Sequence, residues 1–180
     1  AEGMQALSTE LACCSLPRLR TLDLTGNMLG YAGATALAAT FDCGVLPKLE
    51  VLKVGRNNIG DHGLAALSPP LRRLPALKEL HLFSNQIGDD GVESLLGNLG
   101  QMELRQLQTL NLRDNPINDT GCTTLIAALD GRPLLPLEAL GNDESTRMCR
   151  AAKARCLCRA SNLTHPFLIP FEAALCLQAD

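Results

Sequence analysis

Apolar and polar positions along this chain change period within each of four consecutive segments. Residues 19–33, 49–63, 77–91 and 107–121 read LRTLDLTGNMLGYAG, LEVLKVGRNNIGDHG, LKELHLFSNQIGDDG and LQTLNLRDNPINDTG. Leu22 and Leu24 alternate with Thr21, Asp23 and Thr25, the period-two signature of a strand buried on one face. Leu52 and Val54, Leu80 and Leu82, and Leu110 and Leu112 repeat it. Behind each strand the period lengthens. Ala34, Leu37, Ala38 and Phe41, then Leu64 and Leu67, then Val92, Leu95, Leu96 and Leu99, then Cys122, Leu125, Ile126 and Leu129 recur at helical spacing. The pattern predicts four strand–helix units, with Pro69 and Pro70 ending the second helix early.

The units align on Asn27, Asn57, Asn85 and Asn115, at steps of 30, 28 and 30 residues. An amide placed where the chain leaves the strand can both donate to and accept from backbone groups of neighbouring turns. Stacked asparagines then form a ladder, and each backbone group it pairs would cost ~1–3 kcal/mol if left buried and unpaired. Gly30, Gly60, Gly88 and Asn118 share a position where glycine and asparagine exchange, which predicts a turn of positive φ. Asp61, Asp89 and Asp119 follow as N-caps of their own helices, and Tyr31 in the same place predicts a looser start.

Both ends depart from the repeat. Gly3 and Leu7 align with Gly33 and Leu37, so residues 1–12 read as the helical half of a unit whose strand is absent. That suggests a fragment of a longer protein. Leu134, Leu137, Ala139 and Asn142 fit a weakened fifth strand. The expected organisation is repeats over 1–142, about four full units and a partial fifth, a terminal capping helix over 143–160, and a tail of uncertain structure over 161–180.

The motif L-x-x-L-x-(L/V)-x-x-N-x-(I/L)-(G/N)-x-x-G resembles the ribonuclease-inhibitor-like class of leucine-rich repeats. That class is also seen in Ran GTPase-activating proteins and in the receptor ends of nucleotide-binding innate sensors. The resemblance covers roughly residues 1–142. It implies a curved α/β solenoid, parallel strands on the concave face and helices on the convex face, in a protein of the cytoplasm or nucleus.

Composition narrows the function. Aromatic residues make up 3% of the chain and Trp is absent, so the core is built from small aliphatic side chains. A net charge of -3 gives no reason to expect nucleic acid as a partner. No apolar run reaches the ~18 residues a membrane helix needs. The eight cysteines follow no repeating frame, which favours reduced thiols in a cytoplasmic protein. Cys149, Cys156 and Cys158 are the best candidates for a metal, but they lack the fourth ligand and the spacing of a zinc site. His62, His81 and His165 pair with no ligand at helical spacing. No catalytic constellation emerges, and neither a metal nor a cofactor is expected.

The residues between the buried leucines should tile the concave face. The columns are Thr21, Val51, Glu79, Thr109; then Asp23, Lys53, His81, Asn111; then Thr25, Gly55, Phe83, Arg113. Phe83 is the outlier, because aromatic and arginine side chains on a solvated face tend to anchor partners. Asp23, Lys53, Glu79, His81, Phe83, Asn111 and Arg113 are therefore the candidate partner-binding residues, and the expected activity is binding of another protein without catalysis. Two alternatives accompany it. One is regulation of a GTPase, with Arg56 and Arg113 near strand ends as the arginines able to reach a phosphate. The other is the sensor or regulatory part of a larger signalling protein.

Overall fold

The computed structural model describes residues 16–99 and 107–129, with residues 3, 6, 9 and 10 ahead of them. The expected fifth strand, the capping helix over 143–160 and the tail over 161–180 lie outside the described residues, as do Cys149, Cys156, Cys158 and His165. Gly3, Ala6, Thr9 and Glu10 are helical, in keeping with the helical half-unit read there.

Four strands alternate with four helices: β1 (Thr21–Asp23), α1 (Gly30–Asp42), β2 (Val51–Lys53), α2 (Gly60–Leu71), β3 (Glu79–His81), α3 (Asp89–Asn98), β4 (Thr109–Asn111) and α4 (Asp119–Leu129). The strands form one parallel sheet in chain order, and each helix packs on the next. The register pairs Thr21 with Val51, Val51 with Glu79 and Glu79 with Thr109, and likewise along the rows that start at Leu22 and Asp23. These are the columns the repeat spacing predicts. Backbone bonds carry the ladder beyond the strands, from Gly26 N–H to the Gly55 carbonyl, Arg56 to Phe83, and Ser84 to Arg113.

The core lies between sheet and helices and is aliphatic, with Phe41 as its ring. Leu52, Val54, Leu80, Leu82 and Leu110 are fully buried, as are Leu37, Leu64, Leu67 and Leu95 on the helices. Leu22 of the first strand is only partly buried.

The asparagine ladder forms as the spacing requires. Asn57 Oδ1 accepts from the Asn27 N–H at 2.8 Å, Asn85 Oδ1 from Asn57 at 2.9 Å, and Asn115 Oδ1 from Asn85 at 2.8 Å. Asn85 Nδ2 in turn donates to the carbonyls of Val54, Leu82 and Phe83. Asn27 is exposed, and among the described residues its side-chain amide donates only to the Thr25 carbonyl, at 3.3 Å.

Four expectations are corrected. The aspartates do not cap their own helices: Asp61 Oδ1 accepts from Gly88 and Gly91 N–H, at 2.6 and 3.1 Å, at the start of the following helix. Asp89 Oδ1 does the same for Asn118, at 2.8 Å. Positive φ occurs at Gly30 and Gly60 but not at Gly88, which is extended, and not at Asn118. Asp61 accounts for the difference at Gly88 by drawing its N–H backward. Tyr31 offers no carboxylate to Gly60, whose N–H goes to the Asn85 carbonyl instead. The more regular left-handed positions flank the ladder asparagine: Gly26, Arg56, Ser84 and Asp114 before it, and Met28, Asn58 and Gln86 after it.

Pro69 and Pro70 do not stop α2, which runs through both to Leu71. They fall in its last turn, where few helical bonds remain to be lost, and Arg73 N–H closes the end on the Pro70 carbonyl at 2.8 Å. The expectation of reduced thiols holds for Cys43, free and exposed, but not for Cys122, which is buried and disulfide-bonded to a partner outside the described residues.

Candidate functional site

Between the buried leucines the strands present their alternate side chains on the outward face of the sheet. Adjacent parallel strands sit ~4.8 Å apart, so neighbouring side chains of one column touch. In the middle column, Lys53 Nζ lies 3.8 Å from Asp23 Oδ2, with both side chains substantially exposed. An exposed pair at this distance contributes little to stability. Asp23 also accepts from the Thr25 N–H at 3.0 Å. Hydrogen bonds from Thr25 hold its carboxyl below the ordinary range, with smaller help from the Lys53 and His81 charges.

Next along the face, His81 Nε2 lies 3.2 Å from Glu79 Oε2. The two are neighbours because strand residues two apart share a face. The His81 side chain is 17% exposed, which leaves its edge accessible. Asn111 departs from expectation. It is buried, and its Oδ1 accepts from the Arg113 N–H at 3.1 Å, the turn-closing role Asp23 plays in the first repeat. It therefore stands apart from the accessible residues of the face.

Phe83 is neither lone nor fully exposed. Its ring lies across Gly55 in the neighbouring strand's column, and a Cβ at residue 55 would collide with it. That contact buries Gly55 and leaves the ring half-buried. The Arg56 guanidinium sits 5.9 Å from the ring centroid, within range of a cation–π contact. Arg113 is exposed on the other side, next along the column. The structure thus brings Asp23, Lys53, His81 and Glu79 together as one charged row, and places Phe83 further along the strand with Gly55 and Arg56 against its ring. Arg56 belongs beside Phe83, a role the sequence reading did not give it. The signal available was Gly55 next to Phe83 in one column, small against large.

A second charged row lies just before the strands. Arg20 Nη1 meets Glu50 Oε1 at 2.7 Å, and Lys78 Nζ meets Glu50 Oε2 at 2.8 Å. The hydrogen bond from Lys78, with the Lys78 and Arg20 charges, holds the Glu50 carboxyl below its ordinary value of 4.5. These positions, one residue outside the predicted strands, were not singled out from the sequence.

Among the described residues, no cluster of His, Cys, Asp and Glu is placed to hold a metal. No described helix is long and apolar enough to cross a membrane.

Among solved structures, the fold is similar to the actin-binding site 2 (ABS2) of leiomodin-1, at a TM-score of 0.64 and 12% sequence identity, covering 96% of this chain and 95% of that one. At that identity the likeness is one of fold alone. No curated protein matches the sequence. The family described as "Leucine Rich repeat" matches residues 16–38, 45–68, 74–96 and 104–125, the four units whose strands, ladder and helices are described above. The chain belongs to the leucine-rich repeat family.

Proposed function

We propose that this chain is a protein–protein interaction module that binds its partner on the concave face of the solenoid, through Asp23, Lys53, Glu79, His81, Phe83 and Arg113. The observation that carries the reading is the half-buried Phe83 ring on the sheet's outward face, set among charged side chains. A stacked repeat offers such a surface already ordered, which lowers the conformational cost of binding. The repeats are of the ribonuclease-inhibitor-like subclass, a reading supported by the 28–30-residue period and by an α-helix in every unit. The cytoplasm is the compartment proposed, on that resemblance and against the Cys122 disulfide, and labelling of thiols in the native protein tests it: a reduced Cys122 supports the proposal and an oxidised one rejects it.

The reading includes no catalysis. The GTPase-regulating alternative would need an arginine free to reach a phosphate. Arg56 and Arg113, both exposed near the strand ends, are the candidates for that role. Turnover of GTP by small GTPases with and without the chain separates the two readings.

The test of the binding face is a paired capture. One bait is the native chain and the other carries Lys53→Glu, Phe83→Ala and Arg113→Glu, with folding checked by circular dichroism. Leiomodin-1 carries an actin-binding site on this fold, so actin is included as a defined candidate. A partner retained by the first bait and lost by the second supports the concave face. Equal retention by both rejects it.

A further inference from the structure

The charges on this face are not neutralised evenly. Lys53 faces Asp23, and His81 faces Glu79. Arg56 and Arg113 have no carboxylate within ion-pair distance among the described residues, and they stand on either side of Phe83. The nearby Asp114 carboxylate is within hydrogen-bond reach of the Ser84 hydroxyl, at 3.4 Å. Immediately beside the ring the two guanidinium groups outnumber that one carboxylate, although the three cations and three carboxylates of the whole face balance when His81 is neutral.

The strip is also built rather than incidental. The Arg56 backbone is held at φ 55°, and its N–H is bonded to the Phe83 carbonyl at 2.8 Å. The Arg113 N–H is fixed by Asn111, and Ser84 N–H bonds to the Arg113 carbonyl at 2.8 Å. Gly55 makes room for the ring to lie flat. An apolar platform, a guanidinium beside its ring and a second guanidinium root next along its column are thus set on adjacent turns. Guanidinium groups recognise carboxylates through paired, charge-assisted hydrogen bonds, and a half-buried ring takes an apolar side chain.

The geometry points to an extended acidic peptide segment as the occupant of the Arg56–Phe83–Arg113 strip, with Asp or Glu residues flanking one large apolar side chain. The segment's carboxylates accept from Arg56 and Arg113, and its apolar residue packs on the open part of the Phe83 ring. This inference rests on the concave-face reading and specifies the partner chemistry of that face.

The experiment is selection of random 12-residue peptides displayed on phage against the full chain, followed by fluorescence anisotropy with the synthetic winners. A labelled oligothymidylate serves as a separate anionic probe. Winners should carry Asp or Glu around a Leu, Phe or Trp, and their binding should weaken as salt is raised. Arg56→Glu with Arg113→Glu should weaken them by about tenfold or more, and Phe83→Ala by a similar factor. Arg56→Lys with Arg113→Lys should lose less, which separates charge recognition from damage to the fold. Winners that lose affinity in Phe83→Ala but carry no acidic residues would overturn the acidic segment and leave the concave face standing. Winners indifferent to all three variants would overturn both. Tight binding of the oligothymidylate with no acidic peptide winner, or no enrichment at all, would overturn the inference while the paired capture still judges the face.

Discussion

Asn27 and Asn85 occupy the same place in the repeat and live in different surroundings. Asn85 is fully buried, spends its amide protons on three carbonyls, and accepts the Asn57 N–H. Asn27 is exposed and reaches one carbonyl. The same contrast runs through the helix starts. Asp61 ties α3 back to the preceding unit, whereas Tyr31, in the equivalent position, stands 58% exposed with Met28 beside it at 85%. A repeat residue is therefore not worth a fixed amount. Its contribution depends on whether the neighbouring unit supplies the groups it is shaped to meet.

The sharpest break of that comparison is Asn85→Ala against Asn27→Ala. The first strands buried backbone groups on two adjacent turns and should lower unfolding free energy by ~3 kcal/mol or more, the second by less than ~1 kcal/mol. Equal losses in denaturant titrations would mean that the ladder is not what distinguishes interior from edge. Next is Gly91→Ala, where the added Cβ would run into Asp61 Oδ1 and crowd the cap, for an expected loss of ~1–3 kcal/mol. Gly97→Ala on the same helix meets nothing and should cost nothing or stabilise slightly, so the pair reads the inter-repeat contact against helix propensity.

Tyr31→Asp sharpens the comparison from the other side. It gives the first unit the carboxylate that the second and third use, and should raise stability by ~0.5 kcal/mol by capping the start of α2. No gain in thermal unfolding would show that the cap depends on more than the residue type. The smallest effect concerns Glu50, whose carboxyl is held below its ordinary value of 4.5 mainly by Lys78. The folded state then binds fewer protons than the unfolded one near that pH. The stability from this group is complete above 4.5 and is lost as pH falls through the lower folded value. Glu50→Gln should lose this small increment at neutral pH, lose none of it below the folded value, and so flatten the acid limb of the stability profile.

The strands, their register and the inward leucines were legible because the side-chain period of a strand is two and the repeat spacing fixes which residues become neighbours. The ladder was legible for the same reason. The aspartate caps were misread because the N-cap rule is local, whereas stacking at strand spacing brings the next helix start as close as the residue's own. Positive φ was misassigned because glycine is a visible signal and Met28, Arg56 and Gln86 are not, although all three adopt left-handed backbone. Of the candidate site, the column positions of Lys53, Glu79, His81, Phe83 and Arg113 could be read directly. Burial of Asn111 could not be, since the alternation that turns Asp23, Lys53 and His81 outward assigns it to the same column. Arg56 was missed as a partner of Phe83 because it lies one residue outside the alternating columns, where side-chain direction no longer follows the strand period.

The central claim is that the outward face of the sheet, centred on Phe83, is where this protein meets its partner. Calorimetric titration of a captured partner into the native chain and into the Phe83→Ala variant tests it most directly, with circular dichroism confirming that both are folded. The account predicts an affinity at least tenfold weaker for the variant, or about 1.4 kcal/mol or more. An unchanged affinity would place the partner elsewhere on the chain and contradict the account.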